Sequence, residues 1–222
     1  MTAKLPVWIE YGAFLLALIA GMVNAVGLLG FEHQSISHLS GTATLLGTNV
    51  FHINFTEILH LTAILISFLL GAAISGYFLN SSGLKLGRHY SVLLCLEAAL
   101  LIMAALLLAN QNFYGHFLAS AACGLQNAFA TTYTNAIIRT THVTGIFTDL
   151  GIMLGRLLKG ESFDKRKATL FILIIVGFIT GGTIGAYIFS VFEFYALVVP
   201  ALFCLILAGL YSSYLVLVNK QS

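Results

Sequence analysis

Leu100-Leu101-Ile102-Met103-Ala104-Ala105-Leu106-Leu107-Leu108 is apolar at every position, and such a run decides between the two ways a chain crosses a bilayer. A barrel strand alternates apolar and polar residues over about 10 positions, because one face meets lipid and the other the lumen. A run without alternation is helical. Extended outward, this pattern covers 91–109, and comparable stretches occupy 11–30, 58–79, 113–137, 168–190 and 195–217. A hydrocarbon core about 30 Å thick takes about 20 apolar residues of helix to cross. The expected fold is all-α: a polytopic membrane protein with about six transmembrane helices.

Composition agrees. Hydrophobic residues make up 59% of the 222 positions and charged residues 8%, more apolar surface than a water-soluble fold of this size hides in one core. A single membrane domain is expected over 1–222. The first helix is read as retained rather than cleaved as a signal peptide, because it has a sequence partner later in the chain. Trp8 and Tyr11 read as interfacial anchors. Cys95, Cys123 and Cys204 all fall inside expected spans without metal-type spacing, so they read as buried apolar thiols. No cofactor and no metal site are expected.

The charges orient the chain. With six spans and a cytoplasmic amino terminus, Lys4, Lys85, Arg88, Arg139, Arg156, Lys159, Lys165, Arg166, Lys167 and Lys220 all lie on the cytoplasmic side, and Glu32, Glu57 and Glu193 lie opposite. Positive loops resist translocation, so this asymmetry places both termini in the cytoplasm. Letting the Thr- and Gly-rich segments near 38–54 and 142–158 cross fully would put Lys85 and Arg88 outside. Those segments are therefore expected to be re-entrant or broken helices, which membranes tolerate only where protein or a water-filled cavity surrounds the backbone.

An internal repeat accompanies this topology. Gly21-Met22-Val23-Asn24-Ala25 recurs as Gly124-Leu125-Gln126-Asn127-Ala128, and Ser37-His38-Leu39-Ser40-Gly41 as Thr141-His142-Val143-Thr144-Gly145, at offsets of 103 and 104. Gly71 to Tyr77 resembles Gly181 to Tyr187 after a longer basic loop. Repeat 1 covers about 8–110 and repeat 2 about 111–218. Units with an odd number of spans insert in opposite orientations, so two inverted three-helix repeats are expected, each with a re-entrant or broken helix. Inverted repeats place a transporter's site near the midplane at their interface. Gly71, Gly76, Gly181 and Gly185 stand at spacings that allow close helix contact.

The matched motifs supply the candidate site. Helices beginning at Gly41 and Gly145 near mid-membrane would aim two positive ends at an anion or carboxylate, with Ser40, Thr44, Thr141, Thr144 and Thr148 offering hydroxyls. The alternative is that these hydroxyls only cap backbone groups. His38 and His142 are equivalent, and an imidazole is the side chain whose unperturbed titration lies closest to neutrality. Asn24 and Asn127 are amides in apolar helices that need partners, either the unwound backbone or a solute. Glu97 lies inside a span, where an ionised carboxylate costs several kcal/mol unless paired or protonated; Asp149 stands where the first copy has Leu45. Both are candidate proton-coupling groups. The structural alternative pairs Glu97 with a buried hydroxyl or amide, and Asp149 with Arg139 or Arg156. His33, His52, His60 and His116 fall on or near the outer side and His89 in a basic inner loop, with no helical His pair or Cys partner to make a metal site.

These motifs, with Arg139-Thr140-Thr141-His142-Val143-Thr144-Gly145 continuing to Thr148-Asp149-Leu150-Gly151, closely resemble the YoaK-type family of bacterial membrane proteins across essentially the whole chain. The resemblance implies six spans in the bacterial plasma membrane and supplies no substrate, since that family is one of unknown function. The expected function is transport of a small polar solute by alternating access, an anion being one option, with proton coupling at Glu97 or Asp149. The alternatives are a non-transporting scaffold or accessory subunit and, further off, an intramembrane enzyme using His142 with Asp149, which no nucleophile elbow, zinc signature or phosphate loop supports. The protein is read as no enzyme. Expected partners are membrane lipid and a small solute, with a homo-oligomer left open and no nucleic acid.

Overall fold

In a computed structural model, residues 8–30, 36–79, 89–133 and 140–219 are described. Lys4, Glu32, His33, Lys85, Arg88, Arg139 and Lys220 lie outside them, as does the side chain of Trp8. The described residues form α1 (Trp8–Gly30), α2 (Leu39–Phe51), α3 (Phe55–Phe78), α4 (His89–Ala109), α5 (Tyr114–Tyr133), α6 (Val143–Leu158), α7 (Lys165–Phe192), a 3₁₀ turn (Glu193–Leu197) and α8 (Val198–Asn219), with no strand among them. Four helical stretches are long and apolar enough to cross a membrane: Glu10–Gly30, Phe55–Phe78, His89–Ala109 and Lys165–Val216. The last holds α7, the turn and most of α8. The chain is a helical membrane protein.

α5 matches the other long helices in length but carries Ser120, Gln126, Asn127, Thr131 and Thr132, which lower its apolarity. It keeps these groups because the bundle surrounds it. The Ser120 hydroxyl donates to the Ile64 carbonyl of α3 at 3.0 Å, and Gln126 Nε2 donates to the Leu16 carbonyl of α1 at 3.1 Å. In a bilayer such groups have no water to fall back on, so an inward face is where they are tolerated.

Close glycine contacts set the packing. α1 runs parallel to α7: an added Cβ at Gly21 would strike the Phe178 carbonyl, one at Gly181 the Leu18 carbonyl, and one at Gly185 the Met22 backbone. α3 runs parallel to α5 in the same manner, with Gly124 against the Phe68 carbonyl and Gly71 against the Ala121 carbonyl. Small residues at helix interfaces in lipid let backbones approach until dispersion contacts replace the missing hydrophobic drive. Gly76 departs from the expectation: it is exposed, and a methyl group added there would meet open space, because it falls on the face of α3 turned away from α5.

α4 lies between α5 and α8 and fills the main core through Leu93, Leu94, Leu101 and Ala105, packed with Leu125, Phe129, Leu197 and Cys204. Ser212 donates to Ser91 at 2.9 Å while Cys204 faces Glu97, so α8 runs antiparallel to α4. Cys123 and Cys204 are buried as expected, whereas Cys95 is exposed on the outer flank of α4.

At one end of the bundle Arg166 of α7 meets Glu10 of α1 at 3.2 Å, and Arg156, Lys159, Lys165 and Lys167 lie nearby in sequence. At the other end Gly30 of α1 abuts the Phe194 ring, beside Glu193, which takes a left-handed φ of 50° where α7 gives way to the 3₁₀ turn.

Candidate functional site

The two short helices carry most of the candidate residues. α2 has 13 residues and α6 has 16, so at 1.5 Å per residue they reach roughly 20 and 24 Å, less than a hydrocarbon core. α2 packs on α3 and α6 on α7. Each starts two residues earlier than the sequence predicts, at Leu39 and Val143 rather than at Gly41 and Gly145, and the capping residue is histidine rather than a hydroxyl residue. Neither His38 nor His142 caps through its side chain. Their backbones match closely, with φ of −92° and −91°.

Each imidazole instead lies over the first turn of its helix, in the space a Cβ would need at Gly41 or Gly145. A glycine three residues after the histidine is therefore a steric requirement, met identically in both copies. Both rings are exposed, and so are Ser40, Thr44, Thr144 and Thr148. The Thr44 hydroxyl donates to the Ser40 carbonyl at 2.9 Å and the Thr148 hydroxyl to the Thr144 carbonyl at 3.0 Å. Both donors are spent within the helix.

The two copies differ where the asparagines stand. Ser37 donates to Asn24 Oδ1 at 2.7 Å, tying the entry of α2 to the middle of α1. At the equivalent place in the second copy, Asn127 Oδ1 is buried without a hydrogen-bond partner among the described residues, and so is the Thr140 hydroxyl just ahead of α6. Thr141 is partly buried. Removing a donor from a partly buried acceptor costs about 1 kcal/mol, whereas removing an unsatisfied hydroxyl costs nothing or stabilises. Ser37→Ala should therefore lower the unfolding free energy by about 1 kcal/mol, while Thr140→Val should leave it unchanged or raise it. Paired thermal melts in one detergent check this.

The two acids sit in opposite settings. Glu97 is 2% exposed in the core between α4, α5 and α8, within hydrogen-bonding reach of the Cys204 thiol, and its Oε2 has no partner among the described residues. Asp149 is half exposed on α6, 4.0 Å from Lys167 Nζ. Its neighbour is thus a lysine of α7 rather than Arg156, and Arg139 lies outside the described residues. Lys167 also rests over the Phe171 ring.

One pair is not legible from spacing. His60 Nε2 of α3 and His116 Nδ1 of α5 lie 3.1 Å apart in a cavity of about 680 Å³. They are 56 positions apart in sequence, and only the parallel packing of α3 on α5 joins them. Among the described residues no group of three or more His, Cys, Asp or Glu is arranged to hold a metal ion.

No curated protein and no solved structure matches the chain. The family described as protein of unknown function, DUF1275, matches residues 12–210. That match spans both short helices, both asparagines and Glu97, and on it the chain belongs to the DUF1275 family.

Proposed function

We propose that the protein transports a small polar solute, one carrying an anionic group, by alternating access between two inverted repeats, with six spans and both termini cytoplasmic, as a YoaK-type protein of the bacterial plasma membrane. The observation that carries this reading is the duplicated short helix: in each copy a histidine folds over a glycine at the helix start, with exposed hydroxyls one and two turns on.

The repeat reading draws support from the glycine contacts. The alignment that matches Gly21 with Gly124 on α1 and α5, and, after the longer basic loop, Phe68 with Phe178 on α3 and α7, also carries one contact onto the other. Inverted repeats of this kind exchange access by rocking one half against the other around a fixed site. The asymmetry between the bonded Asn24–Ser37 pair and the second copy, where Asn127 Oδ1 lacks a partner among the described residues, fits one closed half and one open half. Glu97 supplies a buried carboxyl for proton coupling, and Asp149 beside Lys167 a second ionisable group. The protein acts on its solute without chemistry, as no enzyme, with lipid as its surroundings.

A ligand that binds only the folded state raises its melting temperature. Purified protein, melted against organic anions, amino acids, sugars and divalent metals, should respond to one anionic class with a dose-dependent shift. In His142→Ala the response should weaken at least tenfold, and the same compound should be taken up by liposomes containing the wild type. A shift that survives unchanged in both His38→Ala and His142→Ala would remove the short helices from the site. An absence of any shift, with a protein partner recovered instead, would favour the scaffold.

A further inference from the structure

The cavity that holds the His60–His116 pair opens where α1 finishes and α3 and α5 begin, well separated in sequence from the His38 and His142 ends of the short helices. Among the described residues its lining includes the rings of Phe55, Phe113 and Phe117, the two imidazoles and the Glu57 carboxylate, and no lysine or arginine. His60 stacks obliquely on Phe113 at 5.8 Å and on Phe117 at 5.3 Å, so the aromatic wall is continuous with the histidine pair.

The charge balance favours a cation. The two imidazoles meet nearly perpendicularly, at 88°, with their facing nitrogens in hydrogen-bond contact. Those two nitrogens cannot both carry a proton, so the pair holds at most one positive charge, and Glu57 is the other charged group of the described lining. Helix starts ordinarily favour anions, but here N–H groups of both helix starts are already engaged: Asn54 Oδ1 accepts from Glu57 N and Asn112 Oδ1 from Tyr114 N. Among the described residues no third ligand joins the pair in an arrangement that would hold a metal ion. Aromatic faces with one carboxylate are the surroundings in which alkylammonium groups are held.

We propose that this cavity binds an organic ammonium group, carried either by a soluble amine or by a zwitterionic phospholipid headgroup, with Glu57 as counter-ion and Phe55, Phe113 and Phe117 as the ring wall. The site is independent of the transport reading and would stand if that reading failed.

The test uses the full chain in detergent and in nanodiscs. Choline and ethanolamine chlorides, against sodium chloride at equal ionic strength, should raise the melting temperature of the wild type and of His142→Ala alike. In Glu57→Gln, which keeps the capped backbone N–H, and in Phe117→Leu, the apparent affinity should fall at least fivefold. If free amines give no shift, the lipid source is read by native mass spectrometry after nanodisc release. Retention of phosphatidylethanolamine or phosphatidylcholine over phosphatidylglycerol, lost in Glu57→Gln, supports the proposal. It is overturned if neither amines nor zwitterionic lipids distinguish wild type from both variants. It is also overturned if micromolar zinc stabilises the wild type but not His60→Ala, which would make the cavity a metal site.

Discussion

Gly21→Leu and Gly124→Leu should each cost the folded protein about 3 kcal/mol or more, at the upper end of overpacking penalties, and lower the melting temperature by about 10 °C on the usual scaling for a chain of this size. The physical reason is that the missing side chain's place is occupied by backbone: the Phe178 carbonyl in one case, the Phe68 carbonyl in the other. A flexible side chain would swing aside, but a helical carbonyl moves only if the whole helix moves. Gly76→Ala points into open space and removes a helix-weakening glycine, so it should be neutral or stabilising by up to about 1 kcal/mol. Thermal melts of the three variants under one condition check the contrast. Equal losses at Gly21 and Gly124 are expected because each glycine faces a helical carbonyl in the same way; a loss at only one would argue that the two helix pairs are not equivalent.

The second large effect is expected at Glu97. Glu97→Lys places an ammonium in a buried core whose nearest polar groups are the Cys204 and Cys123 thiols, neither of them a counter-charge. Mid-helix and inward-facing, it has no route to the interface, and a charge there costs several kcal/mol. Little folded protein should accumulate in membranes, as measured by size-exclusion chromatography of detergent extracts. Glu97→Leu should behave oppositely for the fold. It removes an acid whose Oε2 has no partner among the described residues and replaces it with a side chain of similar volume, a change that is commonly neutral or stabilising when a buried polar group is poorly satisfied. Under the transport reading, Glu97→Leu and Glu97→Gln should melt at or above the wild-type temperature while solute flux falls at least tenfold. A Glu97→Leu variant that melts well below wild type would mean that the carboxyl holds the bundle together, as the scaffold alternative requires.

The extent of the fold readable from the chain follows from what lipid demands. The six apolar stretches coincide with α1, α3, α4, α5, α7 and α8, within a few residues at most ends, because a long apolar segment that must satisfy its own backbone does so locally as a helix. The short helices are legible for a related reason: α2 and α6 carry too many Thr and Gly residues, over too few positions, to cross alone. Their starting residues are not. Local pattern favours hydroxyl caps, as in water-soluble helices, but Ser37 turns away to Asn24 and the histidines take the capping positions. Nothing local distinguishes those outcomes, since the deciding partner is a residue of another helix.

Sequence by itself therefore determined the membrane class, the helices, the candidate polar residues and the glycine spacing, all of which rest on composition and on periods of a few residues. Tertiary structure decided which glycines touch a neighbour, with Gly71 packed and Gly76 exposed on the same helix. It also decided that Glu97 is buried while Asp149 is open, and that His60 and His116 meet. These depend on which face each helix turns inward and on which helix lies beside it. Contacts between segments dozens of residues apart are fixed by the parallel packing of α1 on α7 and α3 on α5, which no local pattern encodes.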